Sequence, residues 1–501
     1  MKSLQNWKTF ALSPLAGALT PLAFAPHHLH YCVLLGLTGF YLLCQGVSRR
    51  RAMANGYGFG LGLFGTGIWW TYISIHDFGG ADPVSATLLT ALLVAVLALF
   101  FALTAFIVSC IADMPGVWWR ILAAAWAWVA VEYVRGYWLL NGFPWLQIAY
   151  SQLATPLAGY APVGGVYATG FLLAASAFAL GELIQKRLPG LTALAFIGLV
   201  WGGGAVLKQI EWTRPDGDAI KITLIQGNIA QNEKWLPENL AQSLNRYQQL
   251  TEAHWSSDVI IWPETAIPAF HSEVNQHFLA PLSAQAREHG VDVVVSLPVE
   301  SDGGEYYNSV MTLGERERFY HKTHLLPFGE YLPLQPLSGW VLDKLQIPLG
   351  NFKAGATDQT LLEAGGHAFI TTICYEAAFG NQVIGQLDQA AYLVNVTNDA
   401  WFGDSAQPHQ HMQMAQMRAL ETGRYLARAT NTGLSGFVAP DGRLISQAPM
   451  FETAILTAHI TPMTGVTPYA RLGDAGVFAV LTTLVGLVAG LIRYRRHFRA
   501  G

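Results

Sequence analysis

The stretch "ATLLTALLVAVLALFFALTAFIVSC", residues 86–110, decides the first half of the fold. It contains no charged residue, and a helix of this length, at about 1.5 Å per residue, crosses the roughly 30 Å hydrocarbon core of a bilayer. The whole chain of 501 residues is 52% hydrophobic and 12% charged, with a mean hydropathy of +0.30. This composition is too apolar for an average soluble protein. We therefore predict that much of the chain is embedded in a membrane.

Other apolar stretches are long enough to form further spans. We predict eight transmembrane helices, near residues 9–25, 29–46, 56–75, 86–111, 117–135, 163–184, 189–207 and 474–493. The first stretch imitates a secretory signal peptide, because lysines precede an apolar run that ends in "AFA" at 23–25. Pro26 would directly follow the cut and opposes cleavage, so we expect this helix to be retained.

Basic loops predict the orientation of these helices, since short cytoplasmic loops are enriched in Lys and Arg. The basic segments follow the second, sixth and eighth predicted spans: "SRRR" at 48–51, "QKR" at 185–187 and "RYRRHFR" at 493–499. Both termini are then cytoplasmic, and the region between the last two spans lies on the other side. In a bacterium this places a multi-pass protein in the inner membrane with a periplasmic domain.

From about residue 208 to about residue 470 the sequence has the charged residues and turn residues that are usual in a soluble protein. A segment of this length is enough for one globular domain with its own core. We predict three parts: a bundle of about seven transmembrane helices at 1–207, an extracytoplasmic domain at 208–470, and a closing transmembrane helix with a basic cytoplasmic tail at 471–501.

Within 208–470, short β-branched runs alternate with helical patterns, which favours an α/β fold. The predicted strands are 219–228, 258–265, 291–299, 308–313, 368–376 and 392–399. The predicted helices are 238–254, 277–290 and 409–429.

Unusual polar residues stand at the ends of three of these strands. They are Glu264, Glu376 beside Cys374, and the group Asn395, Asn398 and Asp399. In open α/β sheets ligand sites cluster beyond strand ends. Cys374 is the one cysteine of the predicted domain, so no disulfide framework is available there. A lone thiol in an oxidising compartment is either well buried or kept because it reacts.

Three ordered motifs carry a resemblance to a known family. "WPETAIP" around Glu264, "YHKTHLLPFGEYLP" around Lys322 and "ICYEAAF" around Cys374 resemble the Glu-Lys-Cys signature of the nitrilase superfamily. The form "KTHLLPFGEYLP", with "GFPWLQIAYSQ" at 142–152 and "NVTNDAWFG" at 395–403, is similar to its membrane-embedded branch, the apolipoprotein N-acyltransferase family. The resemblance covers essentially the whole chain.

The resemblance implies a nitrilase-like αββα sandwich beside the α-helical membrane bundle, with a role for each motif residue. Glu264 is expected to be the general base, and Lys322 to hold the developing oxyanion with a backbone N–H near Cys374. Cys374 is expected to form an acyl thioester. The supporting residues that it implies are Glu330, Tyr375 and Glu376, and the aromatic positions near the acyl-chain entrance are Trp235 and Trp401.

The same resemblance implies the substrates. A phospholipid would donate an acyl chain to Cys374, and the α-amino group of the diacylglyceryl-cysteine that begins an apolipoprotein would accept it, in ping-pong order. Both substrates are anchored in the bilayer, so a membrane base brings them together without extracting either one. We expect no cofactor, no metal and no nucleic-acid partner, and we expect a monomer.

Ordinary explanations stand beside these roles. Taken alone, Cys374 would more often be a small buried hydrophobic residue, Glu264 a strand terminator and Lys322 an exposed charge. His321 and His324 are interpreted as supporting residues. The histidines in "HHLH" at 27–30 and "HQH" at 409–411 lack a convincing ligand set, so no metal is predicted there.

Two rival functions remain open on sequence grounds. A membrane-tethered nitrilase-type amidase would use the same three residues on small amides. A non-catalytic lipid-binding protein could retain the fold without using them. In the helical region, "GFPW" at 142–145 predicts a turn, and Glu132 and Arg135 are expected to pair or snorkel rather than catalyse.

Overall fold

The computed structural model describes residues 2–301, 303–314, 317–333 and 352–500, and the side chains of 2–10, 493 and 495–500 lie outside the description, as does most of the predicted basic tail. The chain forms two compact units. The helical unit comprises Met1–Tyr72, Pro83–Glu211 and Leu472–Gly501. The sandwich unit comprises Ile73–Asp82 and Trp212–Arg471.

The longer helices are α1 (Lys2–Leu19), α2 (Tyr31–Cys44), α3 (Arg49–Gly67), α4 (Pro83–Ala112), α5 (Val117–Tyr137), α6 (Ala161–Ile184), α7 (Gly190–Leu207), α8 (Leu240–Glu252), α9 (Ala280–His289), α10 (Ala406–Thr422) and α11 (Pro468–Ala500). The strands are β1 (Arg214–Pro215), β2 (Ile220–Gln226), β3 (Val259–Ile261), β4 (Asp292–Glu300), β5 (Tyr306–Leu313), β6 (Arg318–His321), β7 (Leu362–Ala364), β8 (His367–Ile373), β9 (Tyr392–Thr397), β10 (Leu426–Thr430), β11 (Gly436–Val438), β12 (Leu444–Gln447), β13 (Ala454–Ile460) and β14 (Met463–Thr464).

Four helical segments among the described residues are long and apolar enough to cross a membrane: Pro83–Ala112, Pro156–Ile184, Gly190–Leu207 and Pro468–Ile492. The other four predicted spans overlap helices α1, α2, α3 and α5, which are shorter in their apolar part or more polar. Eight crossings therefore stay a prediction. The predicted third span, 56–75, is displaced, because α3 ends at Gly67 where Ile68 leaves helical geometry (φ −130°, ψ 21°).

A buried, non-helical loop follows α5 in the helical unit. Glu132 and Arg135 are 4% and 1% exposed, so they do not snorkel, which is one of the two alternatives that the sequence left open. Arg135 Nη1 donates to the carbonyl of Trp145 at 2.7 Å, and Glu132 Oε1 accepts from the Ile148 N–H at 3.1 Å. Irregular backbone inside a membrane unit is tolerated only when such groups are satisfied. The predicted turn contains Gly142 (φ +88°), where an added Cβ would lie 1.8 Å from the Gly136 oxygen.

Replacing Arg135 with Met should destabilise this loop. The substitution keeps the length of the side chain but leaves buried carbonyls without a donor, at about 1–3 kcal/mol for each orphaned group. We expect a lower thermal midpoint for the detergent-solubilised protein. Arg187→Met, at an exposed arginine, is the matched control. Equal thermal midpoints for the two variants would contradict the stabilising role of Arg135 in this loop.

Two six-stranded sheets form the sandwich unit. Sheet I has the order β13-β2-β3-β4-β5-β6, and sheet II the order β12-β11-β10-β9-β8-β7. Strands β2, β3 and β4 run parallel in sheet I, as do β8, β9 and β10 in sheet II. The carboxyl ends of parallel neighbours therefore meet at one edge of each sheet.

Side chains alternate between the two faces of each sheet, as the period of two requires. Ile222 and Leu224 of sheet I share one buried cluster with Val394 and Val396 of sheet II, so the sheets pack face to face. The other face of sheet I packs against α8 and α9, and the other face of sheet II packs against α10. The α/β fold is confirmed, with helix, sheet, sheet and helix as its layers.

The helix predicted at 409–429 is wrong in its last part. Helix α10 ends at Thr422, and Gly423 follows in the left-handed region (φ +62°), which is a common helix terminus. Residues 426–430 instead form β10, a fully buried strand between β9 and β11. Tertiary burial overrides the helical preference of this Ala- and Arg-containing segment. None of the strands β6, β7 and β10 to β13 is predicted from the sequence, because several are short or lack β-branched runs.

Candidate active site

Three strand ends bring the predicted catalytic residues into one neighbourhood of the sandwich unit. Glu264 follows β3, Lys322 follows β6, and Cys374 follows β8. Glu264 is 7% exposed and Lys322 is 1% exposed, whereas Cys374 is half-buried. One carboxylate, that of Glu376, accepts the N–H of Thr323, next to Lys322, and the N–H of Ile373, next to Cys374. The charges of Glu264 and Lys322 both act on the Cys374 thiol.

A hydrogen-bonded cluster joins the two charged candidates. Lys322 Nζ donates to Glu330 Oε1 at 2.9 Å and lies 2.8 Å from Oε2. Asn308 Nδ2 donates to Oε1 of Glu264 at 2.8 Å and to Oε1 of Glu330 at 3.0 Å. Glu330 also accepts the backbone N–H of Leu326 at 2.8 Å. The cluster thus fixes the carboxylates and the ammonium group relative to one another.

A second buried lysine lies beside Glu264. Lys234 is 2% exposed, and its Nζ donates to the backbone carbonyl of Glu264 at 3.1 Å. Burial lowers the pKa of Lys234 to about 8, although the negative charge of Glu264 opposes this effect. Two lysines therefore stand next to the two carboxylates, which limits the net charge that the fold must bury.

The pKa values favour a protonated thiol and a basic carboxylate. Burial raises the pKa of Cys374, and Glu264 adds to the rise while Lys322 opposes it. Burial also raises the pKa of Glu264 above the usual carboxyl range, against the effect of Lys322. Burial would lower the pKa of Lys322, but Glu330 and Glu264 outweigh it and the net pKa is raised. The lysine is cationic, and the thiol needs a base before it can attack.

Cys374 occupies a strained turn. Its φ is +51°, in the left-handed region that residues other than glycine rarely adopt. The strand β8 ends one residue earlier, and a 3-10 helix, Cys374–Ala378, begins here. Strain of about 1–3 kcal/mol at such a residue persists only when neighbouring contacts hold it, and it is common at active sites.

The buried carboxylate of Glu376 supplies part of that support. It accepts the Ile373 N–H at 2.8 Å, the Thr323 N–H at 2.7 Å and the His324 N–H at 3.0 Å. The hydroxyls of Thr323 and Tyr320 donate to it as well. Glu376 therefore ties the segment that carries Lys322 to the turn that carries Cys374.

A second network lies on the other side of Cys374. His411, from α10, places Nε2 3.0 Å from the Cys374 carbonyl oxygen and Nδ1 2.8 Å from Asp399 Oδ1. Asp399 Oδ2 accepts from Arg428 Nη2 at 2.8 Å. Although burial opposes it, His411 and Arg428 lower the pKa of Asp399 to about 2. Burial lowers the pKa of His411, an effect that Asp399 opposes.

The remaining predicted residues surround this centre. Trp235 is 50% exposed and follows Lys234, and Trp401 is 39% exposed, with its ring 5.9 Å from that of Phe78. Tyr375 is 4% exposed and packs its ring against Phe379. His321 and His324 contribute both polar contacts and ring packing. Nδ1 of His321 lies 2.7 Å from Ser309 Oγ, and the His324 ring lies against Phe379.

Comparison with known proteins gives a family for both halves of the chain. Residues 16–179 match the family model "Apolipoprotein N-acyltransferase N-terminal domain", and residues 221–469 match "Carbon-nitrogen hydrolase". An apolipoprotein N-acyltransferase from Methylococcus capsulatus is 47% identical over 96% of this chain and 95% of its own length. Another, from Nitrosomonas europaea, is 43% identical over 95% of each chain. This chain belongs to the apolipoprotein N-acyltransferase family.

Two solved structures that are similar to this apolipoprotein N-acyltransferase family member each match about half of its chain. Nit3 of Saccharomyces cerevisiae, a member of the nitrilase superfamily, is 16% identical with a TM-score of 0.38, over 49% of this chain and 91% of its own. A carbon-nitrogen hydrolase from Helicobacter pylori is 14% identical with a TM-score of 0.38, over 49% of this chain and 89% of its own.

Several residues at this N-acyltransferase-family site have a role that the sequence does not predict. Lys234 precedes Trp235, which was selected, but its burial is not visible from the sequence. Asn308 was included in a strand without a role. His411 is interpreted from the sequence only as a rejected metal ligand, whereas Asp399 already belongs to the strand-end residues that are candidates for chemistry. Among the described residues no group of three or more potential metal ligands is present.

Substituting Glu376 with Gln should disrupt this family's site without changing the size of the side chain. An amide offers one acceptor oxygen to the several N–H and O–H donors that the carboxylate now serves, and each orphaned donor costs about 1–3 kcal/mol. We expect a free energy of unfolding lower by at least ~2 kcal/mol. Glu363→Gln, in a half-exposed pair with Arg318, should cost about 0–1 kcal/mol. A reversed order of the two would contradict the role of Glu376.

Proposed function

We propose that this protein transfers a fatty acyl chain from a membrane phospholipid to the N-terminal α-amino group of the diacylglyceryl-cysteine of an apolipoprotein. The observation that carries the proposal is the juxtaposition of Cys374, Glu264 and Lys322 in a chain that belongs, over nearly its full length, to the apolipoprotein N-acyltransferase family. The roles of the three residues are part of the proposal.

In the first half-reaction the Cys374 sulfur attacks the ester carbonyl of the phospholipid. Glu264 takes the thiol proton, which is needed because burial keeps the thiol protonated. Lys322 donates to the oxyanion of the tetrahedral intermediate, together with a backbone N–H near Cys374. When the ester C–O bond breaks, the proton passes from Glu264 to the leaving alkoxide. The products are a lysophospholipid and an acyl thioester.

The second half-reaction returns the enzyme to its starting state. The α-amine attacks the thioester carbonyl, Glu264 removes a proton from the nitrogen, and Lys322 again stabilises the oxyanion. The C–S bond then breaks and the sulfur is reprotonated from Glu264. An amide has formed, and no cofactor is required for the balance. The requirement for a neutral amine agrees with a base of raised pKa at this site.

We propose further that the active site works beside the bilayer, with the sandwich unit in the periplasm and both termini in the cytoplasm. Basic loops at 48–51 and 185–187 support this orientation. The exposed indoles of Trp235 and Trp401 suit contact with an acyl chain, because an aromatic ring combines an apolar body with a polar edge. We propose that a monomer suffices, since all the residues in these steps come from one chain.

Replacing Cys374 with Ala or Ser should abolish transfer while the protein stays folded. A loss of about 1,000-fold or more is expected when a covalent nucleophile is removed. The measurement is mass spectrometry of the peptide that contains position 374 after incubation with phospholipid; an acyl thioester should be found in the parent protein and in the control, and in neither Cys374 variant. Cys110→Ala is the matched control. Ammonia release from small amides without an acylated Cys374 would instead establish the amidase alternative.

When the rate of acyl-enzyme formation is plotted against pH, its fall at low pH should reflect the protonation of Glu264. The base acts only when ionised, and its pKa is raised, so acyl-enzyme formation should fall off at a pH above the ordinary carboxyl range. The charge of Glu330 contributes to this rise. Glu330→Gln should therefore lower the pKa of Glu264 and move this fall in rate to lower pH, whatever its effect on the maximal rate. Single-turnover rates across pH test the sign, and a shift to higher pH would contradict it.

A further inference from the structure

The buried imidazole of His411 contacts the backbone of the proposed nucleophile rather than its side chain. His411 is 1% exposed, and its Nε2 lies 3.0 Å from the carbonyl oxygen of Cys374. A carbonyl oxygen can only accept, so Nε2 is the donor in this hydrogen bond; the Asp399 carboxylate at Nδ1 also only accepts, so both ring nitrogens donate and the ring is an imidazolium that Asp399 stabilises. The contact therefore directs the peptide group that joins Cys374 to Tyr375.

The ring of His411 is held from its other side as well. Its Nδ1 lies 2.8 Å from Asp399 Oδ1, and Asp399 also binds the Arg428 guanidinium. Arg428 donates in turn to the side-chain oxygen of Asn395 on the central strand β9. Asp399 and Asn395 are 1% and 0% exposed, and Arg428 is 0% exposed. An imidazole fixed through such a chain has a defined ring orientation.

This orientation matters because a peptide group is planar and trans. The Cys374 carbonyl and the Tyr375 N–H belong to the same plane and point in opposite directions. Holding the carbonyl on His411 therefore sets the direction of the Tyr375 N–H. The positive φ of Cys374 makes this local conformation costly by itself, so a contact that fixes it has a clear physical task.

We propose that His411 is a positioning residue for acyl transfer: by holding the Cys374 carbonyl it aims the Tyr375 N–H at the oxyanion that Lys322 also stabilises. The inference rests on the proposed function, because it needs acyl chemistry at Cys374. His411 is not the base for the thiol in this proposal, because its Nε2 contacts the carbonyl oxygen of Cys374 and not the sulfur. His411 is not a metal ligand in it either. Asp399 and Arg428 act through His411.

Two reactions of Cys374 separate this role from general support of the fold. Alkylation by iodoacetamide needs an intact thiol and base but forms no oxyanion, whereas acylation by phospholipid does form one. The alkylation rate is measured by mass spectrometry of the Cys374 peptide, and the acylation rate by the label that the full-length, detergent-solubilised protein gains from the donor. The acyl donor is a phospholipid with a radiolabelled acyl chain in mixed micelles.

His411→Leu should lower the acylation rate by about 100-fold or more, the usual effect of losing an oxyanion donor, while alkylation stays within about threefold of the parent. His411→Gln should recover at least about tenfold of that loss, because its amide N–H can reach the same carbonyl. His409→Leu is the matched control on the same helix, and both of its rates should stay within about threefold of the parent.

Other results would contradict the positioning role of His411. Parental acylation in His411→Leu, or equal losses of acylation and alkylation, would overturn the positioning role. If His411→Leu does not fold, His411→Gln decides alone: a folded variant with parental alkylation and acylation reduced by about threefold to tenfold supports the role, and equal changes in both rates refute it. A parent protein that is alkylated but never acylated would instead remove the proposed function itself.

Discussion

The carboxylate of Glu376 receives hydrogen bonds from two separate segments of the chain, and the geometry of the site depends on that convergence. One segment is the end of β8, through Ile373, and the other is the chain that follows β6, through Thr323 and His324. The first segment delivers Cys374 and the second delivers Lys322. A buried carboxylate with so many donors is strongly held in place, so it links two strands that belong to different sheets.

The remaining charges are buried as compensating sets. Glu264 and Glu330 lie with Lys322 and Lys234, and Asp399 lies with Arg428 and His411. Removing one member of such a set leaves an uncompensated charge in a low-dielectric interior, which is far more costly than losing a surface pair. The site therefore tolerates substitution poorly even where a residue does not touch substrate. The same burial raises the pKa values of Cys374 and Glu264.

A thiol of raised pKa has a chemical consequence. It is not a preformed thiolate, so its attack is coupled to proton transfer to a base, and that base must itself be basic enough to accept the proton. Glu264 meets the second condition through the same burial that imposes the first. A protonated thiol also reacts slowly with oxidants, because thiolate character governs that reaction. Reactivity thus depends on the bound substrate rather than on a permanently activated sulfur.

The sequence alone was enough to identify a membrane-associated chain, an inserted α/β domain and the three candidate residues Glu264, Lys322 and Cys374. Long apolar runs and β-branched strands report burial directly, and the ordered motifs carry the family resemblance. It did not predict that 426–430 is a strand, since burial between two neighbours decides that segment. Nor did it predict the contacts of Lys234, Asn308 and His411. Their roles depend on distances between residues far apart in the chain. Only the tertiary structure sets those distances, through sheet I and its neighbouring segments for Lys234 and Asn308 and through the packing of α10 for His411.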